Sequence, residues 1–391
     1  MKLLLFAEVY YPDVMGGGEQ STKQMAEGLA QRGHEVVVRC LGDRTCKEEI
    51  NGVTIKRKYA KDLSEHFLSN AKNRQLEDPF SAIDKIARKP RDFYESSRWY
   101  EYYKTLLAKE KPDLVHTVAP MSYLGRINLW KAAHDLKIPV SHVCRGPNLL
   151  ELKFIGGILD PYNMHRNAKA SSYLTALAAP SRYMLERHNE AGIRGRKWND
   201  VIYNAIDFTP TEPREEDIRK KENLLLYAGE LREGKGIHTL LEAAKGIGDV
   251  RLCLIGKGGL AESLKRESGA EVKDWMQPQE LYACMKRAKA VILPSLWNEP
   301  FGRVLTEAIY NGTLAIGSDR GGIPEVLAGN EDYIFRSGDA AGLAGRIERV
   351  LCMPSEKYLA EVKKMQASTA GTTREAYIDS WEQFFTKQLE I

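Results

Sequence analysis

One local pattern constrains the fold of this 391-residue chain most: a strand, a glycine-containing loop, a helix and a second strand follow one another, and the pattern occurs twice. In the first copy, apolar runs predict strands over 2–8 and 36–40, and an amphipathic pattern predicts a helix over about 19–32. Three glycines at 16–18 precede that helix, and Gly33 ends it. Such a unit is built around a pair of parallel strands.

The second copy begins in the middle of the chain. It has predicted strands over 224–228 and 250–255, separated by a loop at 229–236 and a helix at about 238–245. Further apolar strands alternate with helical patterns, at 114–118, 139–143, 177–179, 201–202, 290–293 and 313–317. Strands that alternate with helices predict an α/β fold with parallel, doubly wound sheets.

We place a domain boundary where the pattern restarts. Residues 207–221 are rich in Pro, Glu and Arg, as a linker is, and separate a domain of residues 1–205 from one of residues 206–372. A final amphipathic helix is predicted over about 373–391. The charge changes at nearly the same place: residues 1–200 contain 32 Lys and Arg against 24 Asp and Glu, whereas the remaining residues contain 25 against 29. The two halves are therefore expected to meet different partners.

The composition excludes several classes of protein. Hydrophobic residues make up 43% of the chain and the net charge is only +4, so we expect neither a disordered tail nor a nucleic-acid-binding protein. No stretch approaches the roughly 18 apolar residues of a membrane span. Glu8 interrupts the first apolar run, which is interpreted as a buried strand and not as a signal peptide. The six cysteines form no CxxC pair, which indicates reduced thiols in a cytoplasmic protein and no zinc site.

Residues 56–111 differ from the rest of the chain. They lack clear strands and carry five more basic than acidic residues. They end in an aromatic cluster whose members are Tyr94, Trp99, Tyr100, Tyr102 and Tyr103. We expect a helical insertion, with two interpretations open: a solvated cap whose aromatic face packs on the core, or an element that binds the acceptor or an anionic membrane surface.

The most informative segment is SLWNEPFGRVLTEAIYNGTLAIGSDRGGIPEVL, residues 295–327. It follows an apolar strand, and Pro300 predicts the start of a helix, whose unpaired amides favour an anion. Gly302 would let a ligand approach the backbone closely. In doubly wound folds, phosphorylated ligands bind at this position, the carboxyl end of a parallel strand. Glu299 and Glu307 are eight residues apart, and each carboxylate could accept two hydrogen bonds from a diol. Taken alone, this spacing favours two solvated glutamates on an ordinary helix.

When the residues around the two glutamates are included, the segment resembles the retaining glycosyltransferases of family 4. Their pattern has two Glu separated by seven residues, with Phe-Gly after the first, and continues into a Gly-Gly-x-Pro-Glu turn, here at 321–325. Further segments match in the family's order: YYPDVMGGGEQSTKQMAEGLAQRGHEV, PDLVHTV, APSRYMLERHNEAGI, VIYNAID and YAGELREGKGIHTLLEA. The resemblance implies the GT-B fold, in which two Rossmann-like domains face a central cleft. The amino domain would bind the acceptor and receive the last helix, and the carboxyl domain would bind the nucleotide-sugar donor.

The resemblance also assigns residues to the donor. Glu307 would hold the ribose hydroxyls and Glu299 the transferred sugar. Lys235 would contact the diphosphate, on which negative charge grows as it leaves. The family's arginine after the first loop glycine is replaced by Glu230, and Arg232, two positions further on, is expected to serve instead. The remaining donor contacts are expected at Gly16, Gly17, Phe301, Gly302, Arg303 and Val304.

His116, expected at the transferred sugar, and three residues on the acceptor side complete the assignments. Family members often carry two histidines one residue apart, and here only His116 is present, as either a catalytic sugar contact or a buried structural residue. Arg145 replaces a family histidine and would meet an anionic acceptor or a phosphate, or form a salt bridge in the cleft. Glu19 extends the first glycine loop, and Asn204 lies in the hinge segment.

These assignments predict transfer of a hexose from a UDP- or GDP-sugar to an acceptor hydroxyl, with retention. No Asp-x-Asp occurs, so neither a metal nor another cofactor is expected. The acceptor would be anionic or lipid-linked, with peripheral contact at the cytoplasmic membrane face. Two alternatives stay open, a sugar-nucleotide epimerase of related fold and a non-catalytic sugar-nucleotide binding protein. The nucleotide, the hexose and the acceptor are not decided by the sequence.

Overall fold

The computed structural model of the protein describes residues 1–12, 16–59, 89–118, 126–151, 160–210 and 212–390. The chain divides into two compact units, each built on its own sheet. Unit 1 contains residues 1–180, 185–202 and 378–391, and unit 2 contains residues 181–184 and 203–377.

Unit 1 is built on an eight-stranded sheet. Its strands are β1 (Lys2–Phe6), β2 (Glu35–Gly42), β3 (Cys46–Ile50), β4 (Val53–Tyr59), β5 (Leu114–Val118), β6 (Val140–Val143), β7 (Ala176–Ala179) and β8 (Trp198–Val201). They lie in the order β3-β4-β2-β1-β5-β6-β7-β8, and only β3 and β4 pair antiparallel. The order reverses between β1 and β5, and the crevice at the carboxyl ends of such strands is where doubly wound folds bind ligands.

Helices accompany these strands along the chain. They are α1 (Gly17–Gln31), α2 (Lys89–Glu110), α3 (Arg126–Asp135), α4 (Asp160–Ser171) and α5 (Arg182–Glu190). The first residues of α5, up to Met184, belong to unit 2. Strands β1, β5 and β6 are almost entirely buried, which explains why their sequences do not alternate between apolar and charged residues.

Unit 2 is built on a six-stranded parallel sheet. Its strands are β9 (Glu222–Ala228), β10 (Arg251–Ile255), β11 (Glu271–Lys273), β12 (Ala288–Leu293), β13 (Leu314–Ser318) and β14 (Ile334–Phe335). Their order is β11-β10-β9-β12-β13-β14, so it reverses between β9 and β12. The helices are α6 (Glu215–Arg219), α7 (Ile237–Ala244), α8 (Ala261–Glu267), α9 (Pro278–Arg287), α10 (Arg303–Tyr310), α11 (Ile323–Val326), α12 (Ala340–Leu351) and α13 (Ser355–Ser368).

The last helix, α14 (Arg374–Leu389), belongs to unit 1 from Ile378 onward. A Cβ at Gly28 of α1 would lie 2.3 Å from Ile378 Cδ1, so glycine at position 28 lets the two helices approach closely. Trp381 of α14 is fully buried, and its ring centroid lies 5.0 Å from that of His116. The end of the chain therefore packs on the core of unit 1.

An antiparallel hairpin at the edge of unit 1 departs from the predictions. Strands β3 and β4 form it, and β4 extends to residue 59, so the expectation of no strand in the segment 56–111 is wrong for its first residues. The buried residues of β4, Val53, Ile55 and Arg57, alternate with less buried ones, and the charged run 56–58 hides the pattern. The predicted linker at 207–221 also contains structure, because α6 lies within it.

After β4, the next described element of the predicted insertion is α2. Tyr103 is 1% exposed and lies against Phe6 of β1, with 5.7 Å between the ring centroids. Trp99 stacks on Tyr103 at 5.5 Å. These contacts favour the cap whose aromatic face packs on the core. Residues 60–88 and the side chain of Tyr94, which the prediction also covered, lie outside the described residues.

In the part of the chain that the structure describes, no helix has the length and apolar character needed to cross a membrane. All six cysteines are described, and none of them forms a disulfide. Cys40, Cys144 and Cys253 are buried, as free thiols commonly are.

Candidate functional site

Two loops of unit 2 form one connected surface at the carboxyl ends of β9 and β12. The carbonyl of Gly234 accepts backbone hydrogen bonds from Leu296 and Trp297, at 3.0 and 3.1 Å. Gly236 has φ +69°, and a Cβ there would lie 1.9 Å from the carbonyl oxygen of Pro294, so only glycine fits. This surface lies where the strand order of unit 2 reverses.

Lys235 and Glu299, 64 residues apart in the chain, meet at this surface. The ammonium of Lys235 donates to Glu299 Oε1 at 2.8 Å, and the hydroxyl of Ser295 donates to the same oxygen at 2.5 Å. The Lys235 and Glu299 side chains are only 14% and 9% exposed. The structure therefore pairs the predicted diphosphate contact with the predicted sugar contact, and each stabilises the charge of the other.

The Gly-Gly turn fixes the backbone of Glu299. The amide of Gly322 donates to the carbonyl of Glu299 at 2.8 Å. Gly321 has φ +61°, and a Cβ there would lie 2.2 Å from that same oxygen. At the end of the motif, the Glu325 carboxylate accepts hydrogen bonds from two amides at the beginning of α5, each at 2.7 Å. The motif thus positions Glu299 and caps a helix.

Arg232 and Lys235 both lie over the ring of Trp297. The Arg232 guanidinium and the Lys235 ammonium are each 4.9 Å from the ring centroid, within the range of a cation–π interaction. Arg232 also forms an ion pair with Glu230, with 2.7 Å between Nε and Oε2. Both predicted phosphate-binding cations therefore have a carboxylate partner and share one aromatic ring. Sequence reasoning missed Trp297, although it stands two residues before Glu299.

Helix α10 begins directly after Gly302, three residues later than the start predicted at Pro300, and Phe301 is buried beneath its start. The first amides of an α-helix have no acceptor within the helix, so this end suits a phosphate. The Phe301 ring stacks on that of Tyr203, with 5.6 Å between centroids. Asn204, expected on the acceptor side, follows Tyr203 and belongs to unit 2, the unit that contains α10.

Glu307 belongs to a second cluster in unit 2. Its carboxylate forms an ion pair with Arg303, with 2.9 Å between Oε1 and Nε, and Arg303 also lies 3.4 Å from Asp207. The hydroxyl of Tyr282 donates to Asp207. Burial raises the pKa of Glu307, although the charge of Arg303 opposes the rise. Sequence reasoning missed Tyr282 and Asp207, though Asp207 ends the quoted segment VIYNAID.

In unit 1, the predicted glycine loop leads into α1. Gly16 precedes the helix and Gly17 begins it, and both are exposed. Arg145, which follows β6, lies beside this loop, because a Cβ at Gly18 would be 3.5 Å from Arg145 Cδ. The structure thus brings Arg145 close to the beginning of α1, where the guanidinium and the helix dipole both favour an anion.

A cavity of about 90 Å³ lies beside α1 in unit 1. It is lined by Ala7, Glu8, Val9, Gly18, Glu19, Thr22 and Val118. Burial raises the pKa of Glu8 to about 7, and the positive charge of Arg126 opposes that rise. Sequence reasoning had treated Glu8 only as an interruption of an apolar strand. No signal in the sequence marks it as facing a cavity.

His116 lies in the core of unit 1 and is 0% exposed. Its Nδ1 is 2.9 Å from the hydroxyl of Ser141, and the rings of Trp381 and Phe385 pack on it at 5.0 and 5.1 Å. Burial lowers its pKa well below the usual range, so the imidazole is neutral. The expectation of a catalytic sugar contact is therefore corrected, because an enclosed imidazole cannot reach a ligand. The structural alternative fits its surroundings.

Comparisons with known proteins match both halves of the chain. Residues 208–366 match the family profile described as glycosyl transferases group 1, and residues 15–209 match the profile of Glycosyltransferase Family 4. An uncharacterized glycosyltransferase of Methanocaldococcus jannaschii is 27% identical over 358 residues, which cover 84% of this chain and 83% of that protein. An uncharacterized 42.6 kDa protein in the cps region of Klebsiella pneumoniae is 23% identical over 350 residues, covering 83% of this chain and 87% of that protein.

Solved structures match over almost the whole chain. HepE of Anabaena, in complex with UDP and glucose, superimposes with a TM-score of 0.69 at 16% identity, and 99% of each chain is covered. The sucrose-phosphate synthase of Thermosynechococcus elongatus gives a TM-score of 0.71 at 18% identity, covering 99% of this chain and 98% of that one. At these identities the likeness shows the fold alone.

Proposed function

Because the chain belongs to the glycosyltransferases, matching family 4 in its amino half and group 1 in its carboxyl half, and has their GT-B fold, we propose that it transfers a hexose from a nucleoside-diphosphate sugar to an acceptor hydroxyl. The observation that carries the proposal is the ion pair of Lys235 with Glu299 at the carboxyl ends of β9 and β12. Nucleotide ligands of doubly wound sheets bind at such a reversal of strand order.

Donor binding would exchange the partners of the cations in unit 2. The diphosphate competes with Glu299 for Lys235 and with Glu230 for Arg232, two pairs that now lie within 2.8 Å. Glu299 can then accept hydrogen bonds from hydroxyls of the hexose, while amides at the beginning of α10 bind phosphate oxygens. Glu307, held by Arg303, would accept hydrogen bonds from the ribose diol.

The transfer would proceed with retention at the anomeric carbon. The acceptor oxygen forms its bond to that carbon on the face from which the nucleoside diphosphate leaves, and a phosphate oxygen of the leaving group takes the acceptor proton. Lys235 and Arg232 stabilise the negative charge that grows on the diphosphate. The protein otherwise orients the two reactants.

This reaction would need no metal ion or other cofactor, because two cations and helix amides already supply positive charge for the diphosphate. The likeness to HepE, whose structure contains UDP and glucose, makes UDP-glucose the first donor to test. EDTA should leave the rate unchanged, and a large loss that Mn²⁺ restores would contradict metal independence.

For the acceptor, we propose a hydroxyl compound that carries an anionic group or is linked to a lipid, bound by the amino half at the cytoplasmic membrane face. The basic excess of residues 1–200 and the position of Arg145 support an anionic acceptor. Six free thiols support a reducing compartment. Binding to anionic vesicles that is no tighter than to neutral ones, together with an uncharged acceptor, would contradict this part.

The function is tested by incubating the protein with UDP-glucose, UDP-N-acetylglucosamine or GDP-mannose, with and without a panel of glycoside and lipid-linked acceptors. Release of the nucleoside diphosphate together with a new glycoside is the expected result, and NMR of the product gives the anomeric configuration. An epimerised donor in the absence of acceptor, or tight donor binding without turnover on any acceptor, would contradict a transferase.

A further inference from the structure

The cavity in unit 1 is small. Its volume is about 90 Å³, which is enough to admit a polar group of a ligand, such as a hydroxymethyl arm.

Glu8 lines this cavity, and hydrogen bonds fix its backbone there. The amide of Ala7 donates to the carbonyl of Arg39 at 3.1 Å, and the carbonyl of Glu8 accepts from the amide of Leu41 at 3.0 Å. These bonds continue the pairing of β1 with β2 to the edge of the cavity. Among the described residues, no side chain or amide forms a hydrogen bond or ion pair with the Glu8 carboxyl, so its oxygens are available to a ligand.

The charges around the cavity favour an uncharged ligand group. Two carboxyls, Glu8 and Glu19, belong to its described lining, and no cation does. Arg126 acts on Glu8 through its charge, but it does not belong to the lining, and its guanidinium donates to Asn167 at 3.2 Å. Arg145 lies close to Gly18 but does not belong to the lining of the cavity. A phosphate or carboxylate would meet two like charges here, whereas a hydroxyl can donate to either carboxylate.

We propose that Glu8 is an acceptor-binding residue, whose carboxylate accepts a hydrogen bond from one hydroxyl of a polyhydroxylated acceptor that enters this cavity. The inference rests on the proposed transferase function and names part of its second substrate site. Glu8 orients the acceptor and forms no bond with the sugar. Because burial raises the pKa of Glu8 to about 7, the ionised form that accepts the hydrogen bond gains population between about pH 6 and 8.

The test compares wild type with Glu8→Gln and Glu8→Ala, and uses Glu49→Gln as a control on the exposed edge strand β3. The donors are UDP-glucose, UDP-N-acetylglucosamine and GDP-mannose, and the acceptor probes are glycerol and the methyl glycosides of glucose, mannose and N-acetylglucosamine. Loss of a hydrogen bond to a charged group should raise the acceptor KM by about 10- to 100-fold in both Glu8 variants. The donor KM and the melting temperature should stay near those of wild type. The wild-type acceptor KM should fall from pH 6 to 8, and that of Glu8→Gln should not.

An unchanged acceptor KM in both Glu8 variants would overturn the proposal. A rise in both the donor KM and the acceptor KM with a lowered melting temperature would also overturn it, because that is the signature of a structural role. Wild type that transfers to none of the probes from any donor would contradict the proposed function itself and remove the basis of the inference. The control should behave as wild type throughout.

Discussion

The candidate sites of the two units hold their charged side chains in different ways. In unit 2, Lys235 and Arg232 each have a carboxylate partner within 2.8 Å, and a cluster around Arg303 is held in the same manner. In unit 1, Glu8 has no such partner among the described residues, and Arg126 affects it only through its charge.

This difference indicates what each site can bind. A cation that already has a carboxylate partner can exchange it for an anionic ligand, and at no stage is the buried cation without a counter-charge. The site of unit 2 therefore suits a diphosphate. A half-buried carboxyl without a partner instead has its pKa raised, and it suits an uncharged hydrogen-bond donor. Paired and unpaired charge thus distinguish the proposed donor site from the proposed acceptor site.

The largest expected effect is that of Lys235→Ala on transfer. Removing a cation that stabilises the leaving diphosphate should lower kcat/KM by about 10²- to 10³-fold. The measurement is release of nucleoside diphosphate in the presence of acceptor. Lys245→Ala is the matched control, since Lys245 follows α7, is 73% exposed and pairs only with a neighbouring carboxylate. Equal rates for the two variants would remove the central cation from the proposed donor site.

The second effect concerns the stability of unit 2. Glu307→Ala leaves the guanidinium of Arg303 with Asp207 as its remaining carboxylate partner, at 3.4 Å. Breaking a buried ion pair while one partner remains should lower the free energy of unfolding by about 2–4 kcal/mol, as measured by urea titration. Glu348→Ala, an exposed glutamate on α12, should change it by less than about 0.5 kcal/mol. If Glu307→Ala leaves the free energy of unfolding unchanged, the ion pair of Glu307 with Arg303 does not stabilise unit 2.

The third effect concerns the ring beneath both cations. Trp297→Leu removes two cation–π contacts and should weaken the binding of UDP or GDP by about 10-fold, whereas Trp297→Phe retains a ring face and should weaken it less. Calorimetry gives the affinities, and Trp275→Leu, at a tryptophan that is 56% exposed, serves as control. Equal affinities for Trp297→Leu and Trp297→Phe would contradict a role for the ring.

The smallest effect is the pH dependence of stability at Glu8. The pKa of Glu8 is about 7 in the folded protein, above the ordinary value of 4.5, so between these pH values the folded state binds a proton that the unfolded state has lost. The free energy of unfolding of wild type should therefore fall as the pH rises from 4.5 to 7. That of Glu8→Gln lacks this fall, so its difference from wild type should change in favour of the variant by about 1 kcal/mol, after allowance for the exposed part of the carboxyl. Thermal unfolding at several pH values checks this. A difference that stays constant with pH would show that Glu8 is not perturbed.

Much of the fold could be predicted from the sequence because parallel strands are buried on both faces. Strand β5 was predicted with its observed ends, and α14 nearly so. The hairpin of β3 and β4 was missed because charged residues alternate with its few buried ones, and its pairing depends on the neighbouring β2.

In the site of unit 2, the sequence identified Lys235 and Glu299 but not their mutual ion pair, since a contact between residues 64 positions apart depends on the order of the strands. Trp297 was missed because an aromatic residue next to an apolar strand is ordinarily a core residue. Glu8 was missed because the surroundings that raise its pKa come from α1, β5 and Arg126, which are distant in the chain.

The central claim is that unit 2 binds a nucleoside diphosphate through Lys235 and its neighbours. Isothermal titration calorimetry of the full chain with UDP, GDP and the two matching nucleosides tests it most directly. We expect one diphosphate to bind at least about 10-fold more tightly than its nucleoside, and Lys235→Ala to abolish that preference while leaving nucleoside binding unchanged. If neither diphosphate binds more tightly than its nucleoside, or if Lys235→Ala keeps the preference, the proposed donor site is wrong.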